Sequence, residues 1–363
     1  MLIVPVIFFS VTSGIAAIGD VQRLKRIGSK VVIVYFLMTV IACIVGIVMV
    51  NITHPGVGFT LDNMQAFDTS KVKTPSFVNF LFDMVPVNIV DSMAKNQIMQ
   101  MIFFTVLVGV ALVSLGEKVA GVTKIFDQCA SIIYKMLDIV MLYSPIGVLA
   151  LMANTTAVFG PKLFGVLAKF VFTDWVGCLL IWFFFSGIVW LYTKVNYLEM
   201  CKSMIPIWVN TIATNSSAGT IPITLNVTTE RLKVPMSIAS FSIPLGATIN
   251  LTGAALYKTI LAFFVAEIYG LQLTIDQILM VIIISTIMSI AAPGIPGGGI
   301  VTGAIFLNLL GLPMDLMGPI AGMYRLIDMS HTTVNVSGDV LGTMLVAKNE
   351  NIWTGEDFNK TLV

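Results

Sequence analysis

Charge is what this chain of 363 residues has least of: Lys, Arg, Asp and Glu together make up 11% of it, against roughly 25% in a soluble domain. The 20 basic and 19 acidic residues nearly balance, and a net charge of +1 leaves no basic field for nucleic acid and no acidic tract for a cationic partner. The four cysteines, Cys43, Cys129, Cys178 and Cys201, contain no C-x-x-C pair and lie in or beside apolar runs, which excludes a disulfide framework or a zinc site. Also missing are a G-x-x-x-x-G-K-[ST] loop, an H-E-x-x-H helix and a nucleophile elbow, which argues against an ATP-driven or enzymatic membrane protein. No enzymatic activity and no organic cofactor are expected. Residues 1–19 are apolar but lack the cationic start of a signal peptide, so they read as a membrane helix. A polytopic chain opening without a polar leader is read as missing its beginning.

What remains is apolar: 57% of the residues are hydrophobic and the mean hydropathy is +0.96. Val31 to Val50 carries no charge and, at about 1.5 Å per residue, reaches roughly 30 Å, one hydrocarbon thickness. Similar stretches at Ile98–Gly116, about Ile132–Ala153, Trp175–Thr193 and Val234–Tyr257, with residues 1–19, predict six spans. Arg23, Lys25, Arg26 and Lys30 place the first linker in the cytoplasm, whereas the next carries Asp62, Asp68 and Asp83 against Lys71 and Lys73. A multi-pass protein of the cell membrane, plasma or bacterial inner, is expected.

Two uncharged regions are each divided by a polar or Gly/Pro-rich centre. Residues 203–229 enclose NSSAGTIP (Asn215 to Pro222), and residues 277–312 enclose AAPGIPGGG (Ala291 to Gly299). Their arms are too short to cross a bilayer, so both read as re-entrant helical hairpins, a backbone tolerated at membrane depth only where protein or a wet cavity satisfies it. Two interrupted segments in corresponding places point to an inverted-repeat secondary transporter with its site near the midplane.

The helix after Pro313 contains LIDMSHTTVNVSGDV. Asp328, Thr332, Asn335 and Asp339 stand at i, i+4, i+7 and i+11, so at 100° per residue they fall within about 60° of one another. His331 and Arg325 border this stripe. A carboxylate at bilayer depth costs roughly 2.5–3.5 kcal/mol, so two on one face call for cations or donors, and Lys258 is the one cation in a neighbouring span. Upstream, Gly246 and the Asn250–Gly253 segment interrupt an apolar helix; a break there would free carbonyl oxygens, which a hard cation such as sodium prefers.

In order, NSSAGTIP, LGATINLTGAALY, AAPGIPGGG and IDMSHTTVNVSGD resemble the glutamate transporter family, the dicarboxylate/amino acid:cation symporters, over essentially the whole chain. The resemblance implies an all-α, multi-span homotrimer of the elevator type with two hairpins (about 201–233 and 276–312) and inverted repeats. Residues 1–27 and 77–160 would be mainly scaffold, and 28–76 and 161–363 mainly the transport region. Residues 1–19 resemble the family's second span. By the same resemblance Asp328 would hold a substrate ammonium, Asn335 and Ser217 its carboxylate, and Thr332 the same headgroup. Ser216, Ala254, Pro296, Gly297 and His331 complete the implied substrate set. Gly246, Asn250, Asn335 and Asp339 resemble a first sodium site, and Thr248 with the carbonyls of Ser289, Ile290 and Ala292 a second. Tyr35, Thr39 and Thr252 fall at a third, where Thr252 replaces an aspartate and Met38 a hydroxyl residue, so fewer sodium ions are expected.

His331 stands where members with acidic substrates carry arginine, and Ala254 replaces a threonine. An imidazole is ordinarily mostly neutral at pH 7 and cannot reproduce the arginine fork, so a neutral polar amino acid is the expected substrate. The alternatives are an acidic amino acid or a C4-dicarboxylate, possibly with protons as the coupling ion, and a channel lined by the stripe.

Overall fold

The computed structural model describes residues 3–16, 27–58, 85–95, 97–143, 162–290 and 297–360, together with positions 82, 146, 147, 149, 150, 153, 156 and 157. Among the described residues every regular element is helical. In chain order these are α1 (Ile3–Ala16), α2 (Ser29–Thr53), α3 (Ile89–Ala94), α4 (Ile98–Leu115), α5 (Ala120–Met141), α6 (Lys162–Thr193), α7 (Tyr197–Thr214) and α8 (Ser217–Asn226). There follow α9 (Met236–Ile249), α10 (Thr252–Ile268), α11 (Ile275–Ile290), α12 (Gly298–Leu309), α13 (Met317–Asn349) and α14 (Gly355–Asn359).

Among the described residues four stretches are long and apolar enough to cross a membrane: Ser29–Thr53, Gln100–Ile133, Leu163–Thr193 and Met236–Ile268. They differ from the expected spans wherever a charged residue served as a boundary. The run from Ile98 does not stop at Gly116 but passes through a 3-10 turn, Gly116–Val119, into α5. The start expected at Ile132 falls inside α5, which has already begun at Ala120 and is followed by a turn at Leu142–Tyr143. Lys124 and Asp127 sit on the exposed side of α5, where a helix accommodates charge without ending. For the same reason α6 begins at Lys162 rather than Trp175 and carries Asp174 within its 32 residues. Of residues 1–19, the described part is α1; residues 1–2 and 17–19 lie outside the described residues.

The expected break before Gly253 is present. Asn250 (φ −104°, ψ 61°) and Leu251 (φ −91°, ψ 60°) leave helical geometry between α9 and α10. The first interrupted segment is a pair of helices, α7 and α8, joined at Asn215, whose backbone is left-handed (φ 52°), and at Ser216, whose hydroxyl caps α8. The second divides into α11 and α12, while its tip, residues 291–296, lies outside the described residues.

Around these elements α13 is central: it packs on α6, α7, α9, α10 and α2, and the arms α8 and α12 lie on it as well. Helices α4 and α5 each pack mainly on α1. The α10–α13 crossing is close because Gly253 has no side chain; a Cβ there would lie 2.6 Å from His331 Cα and 2.9 Å from its carbonyl oxygen. Gly177 on α6 faces flexible side chains rather than backbone, Leu256 Cδ2 at 3.0 Å and Met49 Cγ at 3.5 Å. Gly253→Ala should therefore cost about 1–3 kcal/mol as overpacking against backbone, and Gly177→Ala less than about 1 kcal/mol. Melting curves of the detergent-solubilised protein check the order.

Candidate functional site

The predicted stripe faces inward. Asp328, Thr332, Asn335 and Asp339 are 8%, 3%, 5% and 1% exposed, so both carboxylates are removed from water and depend on the donors around them. Those donors come mainly from the broken helix and the start of α12.

At the lower part of the stripe, Asn250 Nδ2 donates to Asp339 Oδ1 at 2.9 Å and reaches the Asn335 carbonyl at 3.4 Å. Asn335 Oδ1 accepts the Gly253 N–H at 2.7 Å. Gly246 stands directly against the Asp339 carboxylate, in space that any side chain would fill. The structure thus gathers Gly246, Asn250, Asn335 and Asp339 into one cluster of carboxylate, amide and backbone oxygens. Oxygen ligands of this kind suit a hard monovalent or divalent cation.

Tyr35 joins this cluster from α2, with its hydroxyl 3.1 Å from the carbonyls of Ser242 and Asp339. The other residues of the third group are engaged elsewhere: Thr39 Oγ1 donates to the Tyr35 carbonyl of its own helix, and Thr252 Oγ1 to Asn250 Oδ1. Met38 is buried beside Gly338. In the second group, Thr248 Oγ1 donates to the Leu245 carbonyl. Ser289 is buried, Ile290 ends α11, and Ala292 lies outside the described residues. Lys258, also buried, donates to the Ala254 carbonyl at 3.2 Å and to Ser289 Oγ at 3.3 Å. It forms no ion pair with Asp328 or Asp339 among the described residues, so the stripe is not a lysine-paired structural network.

The upper carboxylate, Asp328, accepts the Gly297 N–H at Oδ2 (3.1 Å) and the Tyr324 hydroxyl at Oδ1 (3.5 Å). Gly297 is left-handed (φ 75°), a conformation that glycine adopts without steric cost at the head of α12. Pro296 lies outside the described residues. From the first hairpin, Asn215 Nδ2 donates to the Arg325 carbonyl at 3.0 Å and so fixes the α7–α8 tip near Asp328. Ser216 Oγ accepts the Gly219 N–H at 3.0 Å, and Ser217 is buried at the first turn of α8. Ala254 is buried on α10.

His331 does not lie where a side-chain reader was expected. Its Nε2 is 2.8 Å from Asp174 Oδ1, and the two side chains are 1% and 0% exposed. Asp174 Oδ2 accepts from Ser330 Oγ at 3.1 Å. A carboxylate buried in α6 needs a donor, and the imidazole supplies it. Sequence reasoning missed Asp174, Tyr324 and the hairpin contact of Lys258. Asp174 had a signal, an acid beside Trp175 in a long apolar run, but it served there as the end of a span.

The two ends of the stripe should respond differently to mutation. Asn335→Leu orphans the buried Gly253 N–H and should destabilise the ligand-free protein by about 1–3 kcal/mol. Asp328→Asn keeps an oxygen for Gly297 and should change ligand-free melting by less than about 1 kcal/mol. Ligand-free melting temperatures of both variants test the contrast.

Residues 1–349 match the family model described as the sodium:dicarboxylate symporter family. Among similar curated proteins, a proton/glutamate-aspartate symporter of Bacillus subtilis (strain 168) is 30% identical over 363 residues, covering 99% of this chain and 87% of the relative. A protein of the same description from Escherichia coli (strain K12) is 32% identical over 361 residues, 97% of this chain and 82% of the relative. A C4-dicarboxylate transport protein of Bacillus subtilis (strain 168) is 31% identical over 360 residues, 97% of this chain and 85% of the relative. With its buried polar stripe, broken helix and apolar membrane-length helices, the chain belongs to the sodium:dicarboxylate symporter family, the glutamate transporter family of secondary symporters.

Proposed function

We propose that this chain is a cation-coupled symporter of an acidic amino acid of the glutamate and aspartate class. The observation that carries the reading is Asp328: a buried carboxylate met among the described residues by two neutral donors, at the head of α12 and near the α7–α8 joint, leaves a negative charge suited to a substrate ammonium. Relatives described as glutamate-aspartate symporters, similar over nearly the whole chain, support the acidic class. The neutral polar substrate expected from the sequence is given up, because the similar curated proteins are described as glutamate-aspartate and C4-dicarboxylate carriers. A C4-dicarboxylate is the second reading, favoured by a C4-dicarboxylate relative of comparable identity; it lacks the ammonium that Asp328 would hold.

The Gly246, Asn250, Asn335 and Asp339 cluster is the proposed sodium site. Thr248, Ser289, Ile290 and Ala292 form a second, and the group around Tyr35, Thr39 and Thr252 a weakened third, since Thr252 brings no charge. Substrate contacts are proposed at Ser216, Ser217, Ala254, Pro296, Gly297, Asp328, Thr332 and Asn335, with His331 acting from behind them. The packing of α4 and α5 on α1, away from the α13 core, supports the assignment of these three helices to a scaffold, with the remaining core as the moving transport region. A homotrimer in the cell membrane, with the two helix pairs re-entrant, completes the reading.

Uptake into proteoliposomes under imposed ion gradients tests it. Aspartate or glutamate should accumulate, serine and glutamine should not compete, and fewer than three sodium ions should accompany each substrate. Asp339→Asn should raise the sodium concentration for half-maximal uptake at least about tenfold, since only dipoles then face the cation. Preference for serine or glutamine, or an unchanged sodium requirement in the variant, would overturn these assignments.

A further inference from the structure

We propose that Asp174 and His331 form a proton-binding site that is loaded when an acidic substrate binds, so that a protonated imidazole supplies the positive charge which the arginine supplies in acidic-substrate members. The proposal rests on the acidic-substrate reading above. An ionised carboxylate can only accept, so the Nε2–H of His331 donates to Asp174 Oδ1 across 2.8 Å. That leaves Nδ1 as the free position of the ring, and Nδ1 is buried without a partner among the described residues. The Tyr257 hydroxyl, on a ring centred 5.3 Å from the imidazole, is likewise buried and unpartnered. Buried polar atoms are seldom left unpaired, and two together mark a place that completes its bonding in another state of the protein.

The charges around the ring set the direction of the effect. From α6 it faces Asp174 and the Cys178 thiol, whose ligand atoms cluster with the imidazole within 4.8 Å. From α10 it faces Tyr257, and on its own helix its titratable and charged neighbours are Tyr324, Asp328 and the exposed Arg325. Among the described residues the imidazole therefore stands between two buried carboxylates, with its one cationic neighbour, Arg325, at the surface. Lys258 is turned toward Ser289 instead. An amino acid's ammonium would offset Asp328, but the second carboxylate of an acidic substrate adds a negative charge to this pocket. A proton taken from solution onto Nδ1 restores the balance and leaves again when the substrate is released; no bond other than N–H is made or broken. Binding of substrate and binding of the proton then strengthen each other by the same factor.

Proton uptake on adding aspartate to the purified protein, followed with a pH indicator in weak buffer, tests the site, together with aspartate affinity between about pH 5.5 and about pH 8.5. Wild type should take up about one proton per aspartate bound, and its affinity should fall about tenfold per pH unit toward the alkaline end. His331→Arg, with a permanent cation, should bind aspartate without proton uptake and with a flat pH profile, while Asp174→Asn should move the fall in affinity to lower pH. Aspartate binding in wild type without proton uptake, or unchanged uptake in His331→Arg, would overturn the site and leave the substrate reading standing. Absence of aspartate binding at every pH would overturn the substrate reading itself. The wild-type measurements decide even if a variant fails to fold.

Discussion

A carboxylate cut off from water has to be met by donors or by a cation, and α13 buries two of them on one face. Most of the central architecture answers that requirement. The Asp339 end is served by a helix that breaks at Asn250 and Leu251, which turns an amide side chain onto the carboxylate and a backbone N–H onto Asn335. The Asp328 end is served by the left-handed Gly297 at the start of α12. Glycine appears where these approaches are tightest, at Gly246 against Asp339 and at Gly253 against the α13 backbone. Neither carboxylate is paired with a basic side chain among the described residues. Neutral donors can hold an acid in place while leaving charge for a mobile cation, whereas a resident lysine would have cancelled it.

A third buried carboxylate, Asp174, follows the same rule by a different route, since its partner is a side chain that can itself gain or lose a proton. The three acids thus differ in what meets them among the described residues: an amide donor within a cluster of oxygens at Asp339, two neutral donors at Asp328, and an imidazole at Asp174. On the proposed reading, differences of this kind let one small core respond to a metal cation, an ammonium and a proton separately.

The stripe on α13 was legible because helical periodicity depends only on spacing, and 100° per residue put Asp328, Thr332, Asn335 and Asp339 together before any fold was known. The break at Asn250 and the joint at Asn215 were legible because glycine and polar residues stand out in apolar runs. Span boundaries were less so. A charge inside an apolar helix and a charge in a loop look alike in sequence, which is why α5 and α6 begin well before their expected starts and why Asp174 was passed over. The orientation of His331 depended on that missed acid. No local pattern specifies which of several neighbours a buried imidazole faces, since the partner comes from a helix 157 positions away in the chain.

The account stands on Asp328 being a counter-charge for a substrate ammonium, and a comparison of L-aspartate with succinate isolates that group, because the two differ chiefly in the amino nitrogen. Competition binding should show wild type preferring aspartate, and Asp328→Asn losing that preference as aspartate weakens and succinate, freed from a like charge, gains. A ratio of the two affinities that is the same in wild type and Asp328→Asn would contradict the account.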